Sequence, residues 1–328
     1  GLAADGILAV VAADFPAFAY VTLSTVIVFA AFGMALGRQA DELLRRLSTD
    51  SLTGLLDRRA FLDRSARYAA AGGTTAAGLL AALSPDFAYG QKVAPSDARI
   101  KTERVEIASP AGHGKISALV AQPANASGAL PPVLVIHENR GLNPHIEDIA
   151  RRLALDNFIA VAPDLLTTQG GYPGDEDKAR EAFAKIDQAK AREDWIAATA
   201  YTQKVAGGNG KLGATGFCYG GGIVNFLATR VPELAAGVPF YGVAAPIADV
   251  PKIKAELFIV YAENDERINA TWPPYEAALK AAGTRYAAQV YPGTQHGFNN
   301  NTTPRYDEKA AREAWTKTLA LFNRTLRA

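Results

Sequence analysis

The chain has 328 residues, with 34 Lys and Arg against 33 Asp and Glu, four His and one Cys. A net charge of +1 gives no general basic field for nucleic acid. A single cysteine forbids an intrachain disulfide, and the scattered His113, His137, His145 and His296 form no cluster with zinc spacing, so neither metal nor cofactor is expected. Hydrophobic residues at 49% and charged residues at 20% describe a chain with a sizeable core. At about 150 residues per domain, the length predicts two units, or one large α/β domain with an appendage. Cys218 is then either a small buried hydrophobe or a working thiol.

From Phe15 to Leu36 the chain runs FPAFAYVTLSTVIVFAAFGMAL without a charge. That meets the roughly 20 apolar residues needed to cross a bilayer, and 15–36 is expected to associate with a membrane. Arg38, Arg45 and Arg46 follow it, which by the positive-inside rule places that flank in the cytoplasm. Asp50 to Arg64 (DSLTGLLDRRAFLDR) resembles the opening of a diguanylate cyclase (GGDEF) domain, with Asp57 where that pattern usually has Asn. The Gly-Gly-(Asp/Glu)-Glu-Phe run itself occurs nowhere, so cyclase activity is not expected. Arg58-Arg59-Ala60-Phe61-Leu62 also resembles a twin-arginine export motif. The Ala-rich stretch from Tyr68 to Leu83 follows it, and Ala88-Tyr89-Gly90 reads as a small-residue cleavage site. An alanine-rich surface helix is the alternative for 68–83. Either way residues 1–95 are expected to be an anchoring or targeting leader outside the catalytic fold, which occupies 96–328. A membrane-anchored or exported, periplasmic location and a cytoplasmic one both remain open.

Beyond Arg99 apolar strands alternate with amphipathic helices. Strands are expected at Lys115 to Gln122, Pro132 to His137, Phe158 to Ala162, Lys211 to Gly216, Ala236 to Tyr241, Glu256 to Tyr261 and Tyr286 to Tyr291. Helices are expected at Pro144 to Leu155, Asp175 to Val205, Tyr219 to Arg230, Trp272 to Ala282 and Asp307 to Leu326. This alternation predicts an α/β fold, a mostly parallel sheet covered by helices on both faces. Active groups in such sheets sit where strands end and loops begin.

Four of those junctions carry chemistry. Gly216-Phe217-Cys218-Tyr219-Gly220 is a G-x-C-x-G nucleophile elbow between a strand and a helix. Its glycines permit a sharp turn that presents Cys218 at a helix N-terminus, where a thiolate is favoured and the Tyr219 N–H points at a developing oxyanion. His296 follows the last strand, in the place of a general base. Asp265 follows the strand before it, so the order Cys, Asp, His is that of an α/β-hydrolase triad. Glu263 and Glu266 compete for the acidic role. The fourth junction, His137-Glu138-Asn139-Arg140-Gly141-Leu142-Asn143, would supply a second oxyanion N–H near Asn139, with Glu138 and Arg140 facing substrate or thiol.

Together GFCYGGG, AENDERIN, PGTQHGF and HENRGLNPHI resemble the dienelactone hydrolase (carboxymethylenebutenolidase) family from about Arg99 to the C-terminus. The resemblance implies an α/β-hydrolase fold, Cys218 as nucleophile, His296 as base and Asp265 as orienting acid. It also implies that Glu138 contacts the resting thiol and helps generate thiolate. Better-known members carry an arginine shortly after the catalytic His, which binds the substrate carboxylate. Here Gly297, Phe298, Asn299 and Asn300 follow, leaving Arg140 as the replacement.

The leading expectation is a hydrolase of activated carboxylic esters or enol-lactones working through a thioacyl-enzyme, with a small-molecule substrate. Tyr172, Trp272 and Phe298 are the expected pocket walls. The rival is a membrane-tethered ligand-binding or sensor module that uses a hydrolase fold only to hold a ligand.

Overall fold

The structure, a computed structural model, describes residues 90–327. The apolar run 15–36, the cyclase-like and arginine-pair motifs and the stretch 68–83 lie outside the described residues. Among the described residues no helix is long and apolar enough to cross a membrane.

Among the described residues eight strands form one sheet. They are β1 (Ile100–Ser109), β2 (Gly114–Pro123), β3 (Pro132–Ile136), β4 (Ile159–Asp164), β5 (Leu212–Phe217), β6 (Leu234–Phe240), β7 (Glu256–Asn264) and β8 (Tyr286–Gln295). Their order is β1-β2-β4-β3-β5-β6-β7-β8, with β2 antiparallel to both neighbours and every later pair parallel. The chain passes from β3 outward to β4 on one side and returns to β5 on the other. The strand order therefore reverses at β3 and β5, and a crevice opens beyond their C-terminal ends.

The central strands are buried on both faces, which is why their sequences are continuous apolar runs such as PVLVI in β3. Leu134 and Ile136 point into one apolar layer, while Val133 and Val135 point into the other. The first layer is completed by α2 (Glu176–Ala184), α3 (Gln188–Gln203), α4 (Tyr219–Arg230) and α6 (Trp272–Ala281), through Phe183, Trp195, Leu227 and Tyr275. The second is completed by α1 (Pro144–Leu155) and α7 (Glu308–Leu326), through Ile146, Ile149 and Phe322. A single turn, α5 (Glu266–Asn269), follows β7. Helix α1 starts where its sequence directs: the Asn143 side chain caps the Ile146 N–H, and Pro144 occupies the first turn, where an N–H has no partner to lose.

Besides the single turn α5, which was not expected, β1 and the helix over 175–205 differ from expectation. β1 was not anticipated because its sequence, IKTERVEIAS, shows mostly polar side chains. It is an edge strand whose exposed face carries charge, a composition that discourages pairing with another chain. The helix expected over 175–205 is two helices. Asp187 accepts from the N–H groups of Ala189 and Lys190 and starts α3 afresh, so its side chain caps a second helix and does not ride within one.

Candidate active site

β5 delivers Cys218 into the crevice. The residue sits at φ 55°, ψ −111°, a backbone conformation that an L side chain rarely adopts. Close packing enforces the turn. A Cβ on Gly216 would run into the Gly220 carbonyl, and one on Gly220 into the carbonyls of Ile136 and His137, so the first turn of α4 lies directly against the end of β3. The Cys218 N–H is held by Phe240 O at 3.0 Å. The first backbone bond closing α4 runs from Gly222 N to Cys218 O at 3.2 Å. The Tyr219 N–H, at the head of α4, belongs to the turn that a helix leaves without internal acceptors. Cys218 is a half-buried free thiol.

His296 and Asp265 come together from the ends of β8 and β7. The imidazole Nδ1 lies 2.5 Å from Asp265 Oδ2, with His296 6% and Asp265 2% exposed. Burial works against a charged imidazolium, but the Cys218 sulfur and the Asp265 carboxylate outweigh it and push the His296 pKa up to about 10. Of the competing acids, Glu263 accepts instead from the Gly293 N–H at 2.7 Å, and Glu266 opens α5 at the surface.

The loop after β3 lies along the other side of the crevice. Glu138 is buried, and its Oε2 accepts from Asn300 Nδ2 at 3.0 Å; no hydrogen bond joins it to Cys218 among the described residues. Arg140 pairs through Nε with Glu176 Oε2 at 2.8 Å and donates to Asn139 Oδ1 at 2.7 Å. Tyr172 donates to the other Glu176 oxygen at 2.8 Å. Burial raises the Glu176 pKa, with Arg140 acting in opposition.

The expected pocket walls divide. Tyr172 lines a cleft of about 550 Å³ with Leu142, Pro144, Asp164 and Thr167, although none of Cys218, Asp265 and His296 lines that cleft. Trp272 packs on Tyr261, Tyr275 and Tyr286 within the apolar layer of α6, and Phe298 is fully buried between Tyr241 and Tyr291. Phe298 is therefore a core residue, whereas Trp272 packs partly buried against the first apolar layer.

Three residues at the site were not signalled by sequence. Tyr241, at φ 37°, sets its ring 5.0 Å from that of His296. Arg305 reaches back across Gly297, where a Cβ would lie 3.2 Å from its guanidinium. His137, read only as the last residue of a strand, has both ring nitrogens engaged by backbone. No local pattern marks the first two, since only the folded loops bring them to the histidine.

Comparisons with known proteins bear on the family of this fold. The family model described as "Dienelactone hydrolase family" matches residues 116–326. A Methylorubrum extorquens protein named "Putative carboxymethylenebutenolidase" is 34% identical over 231 residues, covering 65% of this chain and 78% of that one. An Escherichia coli protein named "Putative hydrolase fragment YghX" is 47% identical over 113 residues, 34% of this chain and 97% of that one. A solved structure from Klebsiella pneumoniae, named "Putative Dienelactone Hydrolase", superposes with a TM-score of 0.60 at 30% identity, covering 68% of this chain and 98% of that one. With the match spanning β2 to α7 and taking in the elbow, the acidic loop and the histidine loop alike, the chain belongs to the dienelactone hydrolase family.

Proposed function

We propose that this hydrolase cleaves activated carboxylic esters or enol-lactones through a thioacyl intermediate on Cys218. The observation that carries the reading is the convergence of three loops: a thiol on a strained elbow, an imidazole whose proton affinity that sulfur raises, and a carboxylate 2.5 Å from the imidazole's far nitrogen. In this reading the Cys218 sulfur attacks the acyl carbon and forms the C–S bond. The carbonyl oxygen takes the negative charge, within reach of the Tyr219 and Asn139 N–H groups. Collapse breaks the C–O bond, and His296 gives its proton to the departing oxygen. A water then loses a proton to His296, attacks the thioester and expels the thiolate. Asp265 holds the imidazole in one tautomer and offsets its positive charge.

A thiolate is strongly nucleophilic and is also easily expelled, so substrates with good leaving groups such as enolates or phenolates react best and amides poorly. Arg140 is the cation of the β3 loop, yet Glu176 already holds its guanidinium, which favours neutral or weakly anionic esters over doubly charged ones. Replacing Cys218 by Ala is expected to abolish both p-nitrophenyl acetate turnover and labelling by iodoacetamide. Undiminished ester hydrolysis in that variant would overturn the reading.

A further inference from the structure

His137 directly follows β3, wholly buried, and both its ring nitrogens have backbone partners. The Leu165 N–H donates to Nε2 at 3.2 Å, and Nδ1 lies 2.5 Å from the Glu138 carbonyl oxygen. A ring nitrogen that accepts carries no proton. Nε2 is therefore bare, and Nδ1 bears the hydrogen that it donates to Glu138. Burial keeps the ring neutral, lowering its pKa against the opposing pull of Asp164 and Glu138.

The Glu138 carbonyl and the Asn139 N–H belong to one planar peptide, and the described chain contains no cis bond. In a trans peptide these two groups point in opposite directions, so fixing one fixes the other. The histidine is in turn locked to the second donor. Its ring stacks on that of Tyr219, with centroids 6.4 Å apart and planes 19° apart. The Trp195 indole stands edge-on to His137 at 5.3 Å and donates to the Tyr219 hydroxyl at 3.2 Å. Gly220 packs against the His137 carbonyl with no room for a side chain.

We propose that His137 is a positioning residue for the oxyanion: by holding the Glu138 carbonyl it aims the Asn139 N–H at the acyl oxygen of a substrate on Cys218. This rests on the reading of Asn139 and Tyr219 as the oxyanion donors. The imidazole gains and loses no proton during turnover; it acts only through the peptide it orients.

The test compares His137→Asn, His137→Gln and His137→Phe in the full chain, by kcat and KM for p-nitrophenyl acetate and by the rate of Cys218 alkylation with iodoacetamide. The Asn amide nitrogen takes the place of Nδ1 and keeps the donor to Glu138, whereas that of Gln takes the place of Nε2. Alkylation forms a C–S bond and expels iodide without generating an oxyanion, so it reports the thiol independently. Loss of one oxyanion donor is worth about 10²- to 10³-fold in kcat. Misaiming one is expected to lower kcat about 10- to 100-fold in the Gln and Phe variants, with KM and alkylation within about twofold of the parent. Asn is expected to restore most of the loss.

Equal kcat in parent and Phe variant would overturn the proposal, as would alkylation falling in step with kcat, or Asn performing no better than Gln. Should the Phe variant not fold, the Asn and Gln pair decides by itself. Failure of the parent reading is separate and visible beforehand, as ester turnover that survives Cys218→Ala.

Discussion

Asn300 donates its amide N–H to the Glu138 carboxylate, Nδ2 to Oε2 at 3.0 Å, and so joins the loop after β8 to the loop after β3 across the crevice. The orientation of the amide is fixed, because Asn300 Oδ1 accepts from both the Thr302 N–H at 3.1 Å and the Thr302 hydroxyl at 2.7 Å. The buried carboxylate thus has a neutral partner at this point.

Replacing Asn300 by Ala removes a donor from a buried acid and is expected to destabilise the fold by about 1–3 kcal/mol. Asn300→Asp keeps an acceptor for Thr302 but sets a second carboxylate against Glu138, and two such groups in contact resist ionising together. At pH 7 the Asp variant should therefore be less stable than the Ala variant. Urea midpoints at pH 7 check this; an Asp variant more stable than Ala would contradict it.

Strain at Cys218 makes a separate expectation. With φ at 55°, the residue holds a Cβ in a region that glycine occupies freely. Glycine ordinarily destabilises relative to alanine, but here Cys218→Gly should be more stable than Cys218→Ala by about 1–2 kcal/mol. Equilibrium urea unfolding of the two inactive variants measures the difference directly. Alanine proving the more stable of the two would mean that the elbow stores no such strain.

How far these features were legible in the sequence depends on how local their causes are. α1 and α4 match their expected bounds, because Asn143-Pro144 and the elbow glycines encode the starts within a few residues. The placement of Cys218, Asp265 and His296 after β5, β7 and β8 was legible too, since each follows a strand expected from the sequence. β1 was hidden because edge strands need no apolar run, and the break at Asp187 because a capping aspartate looks the same as a surface one. Trp272 and Phe298 show the limit of reading pocket walls. An aromatic side chain beside a functional loop has the same signature whether it faces substrate or the core, and here the core claimed Phe298 while Trp272 packs partly buried on the tyrosines around it. The role argued for His137 was beyond sequence altogether, because it depends on which way one peptide plane faces.

Asp265→Asn preserves the shape of the acid and removes its charge. An amide there can present its NH₂ to Nδ1 and favour the wrong imidazole tautomer, and the imidazolium loses its counter-charge. kcat for p-nitrophenyl acetate should fall about 10²- to 10⁴-fold with little change in KM. The stability loss should be modest by comparison, since the side chain's volume and burial are kept. Glu263→Gln serves as the control, because its carboxylate binds the Gly293 N–H and not the imidazole. A loss in the Glu263 variant as large as that in the Asp265 variant would reassign the acidic role.

The raised proton affinity of His296 ties stability to pH in a definite direction. Its folded pKa of about 10 lies above the ordinary value of 6.5, so the native state holds a proton that the unfolded chain releases between these limits. The stabilisation is fully present below about pH 6.5 and is lost as pH rises toward about 10, because over that window the native state binds more protons than the unfolded one. Part of the effect comes from the Cys218 sulfur facing the ring, so Cys218→Ala should flatten it. The urea midpoint of the parent should drop more steeply between pH 7 and pH 10 than that of Cys218→Ala, with other alkaline-titrating groups common to both. The downfield imidazole proton shared with Asp265 should also persist to higher pH in the parent than in the variant by proton NMR. Parallel pH slopes for the two proteins would show that the sulfur does not raise the histidine's proton affinity.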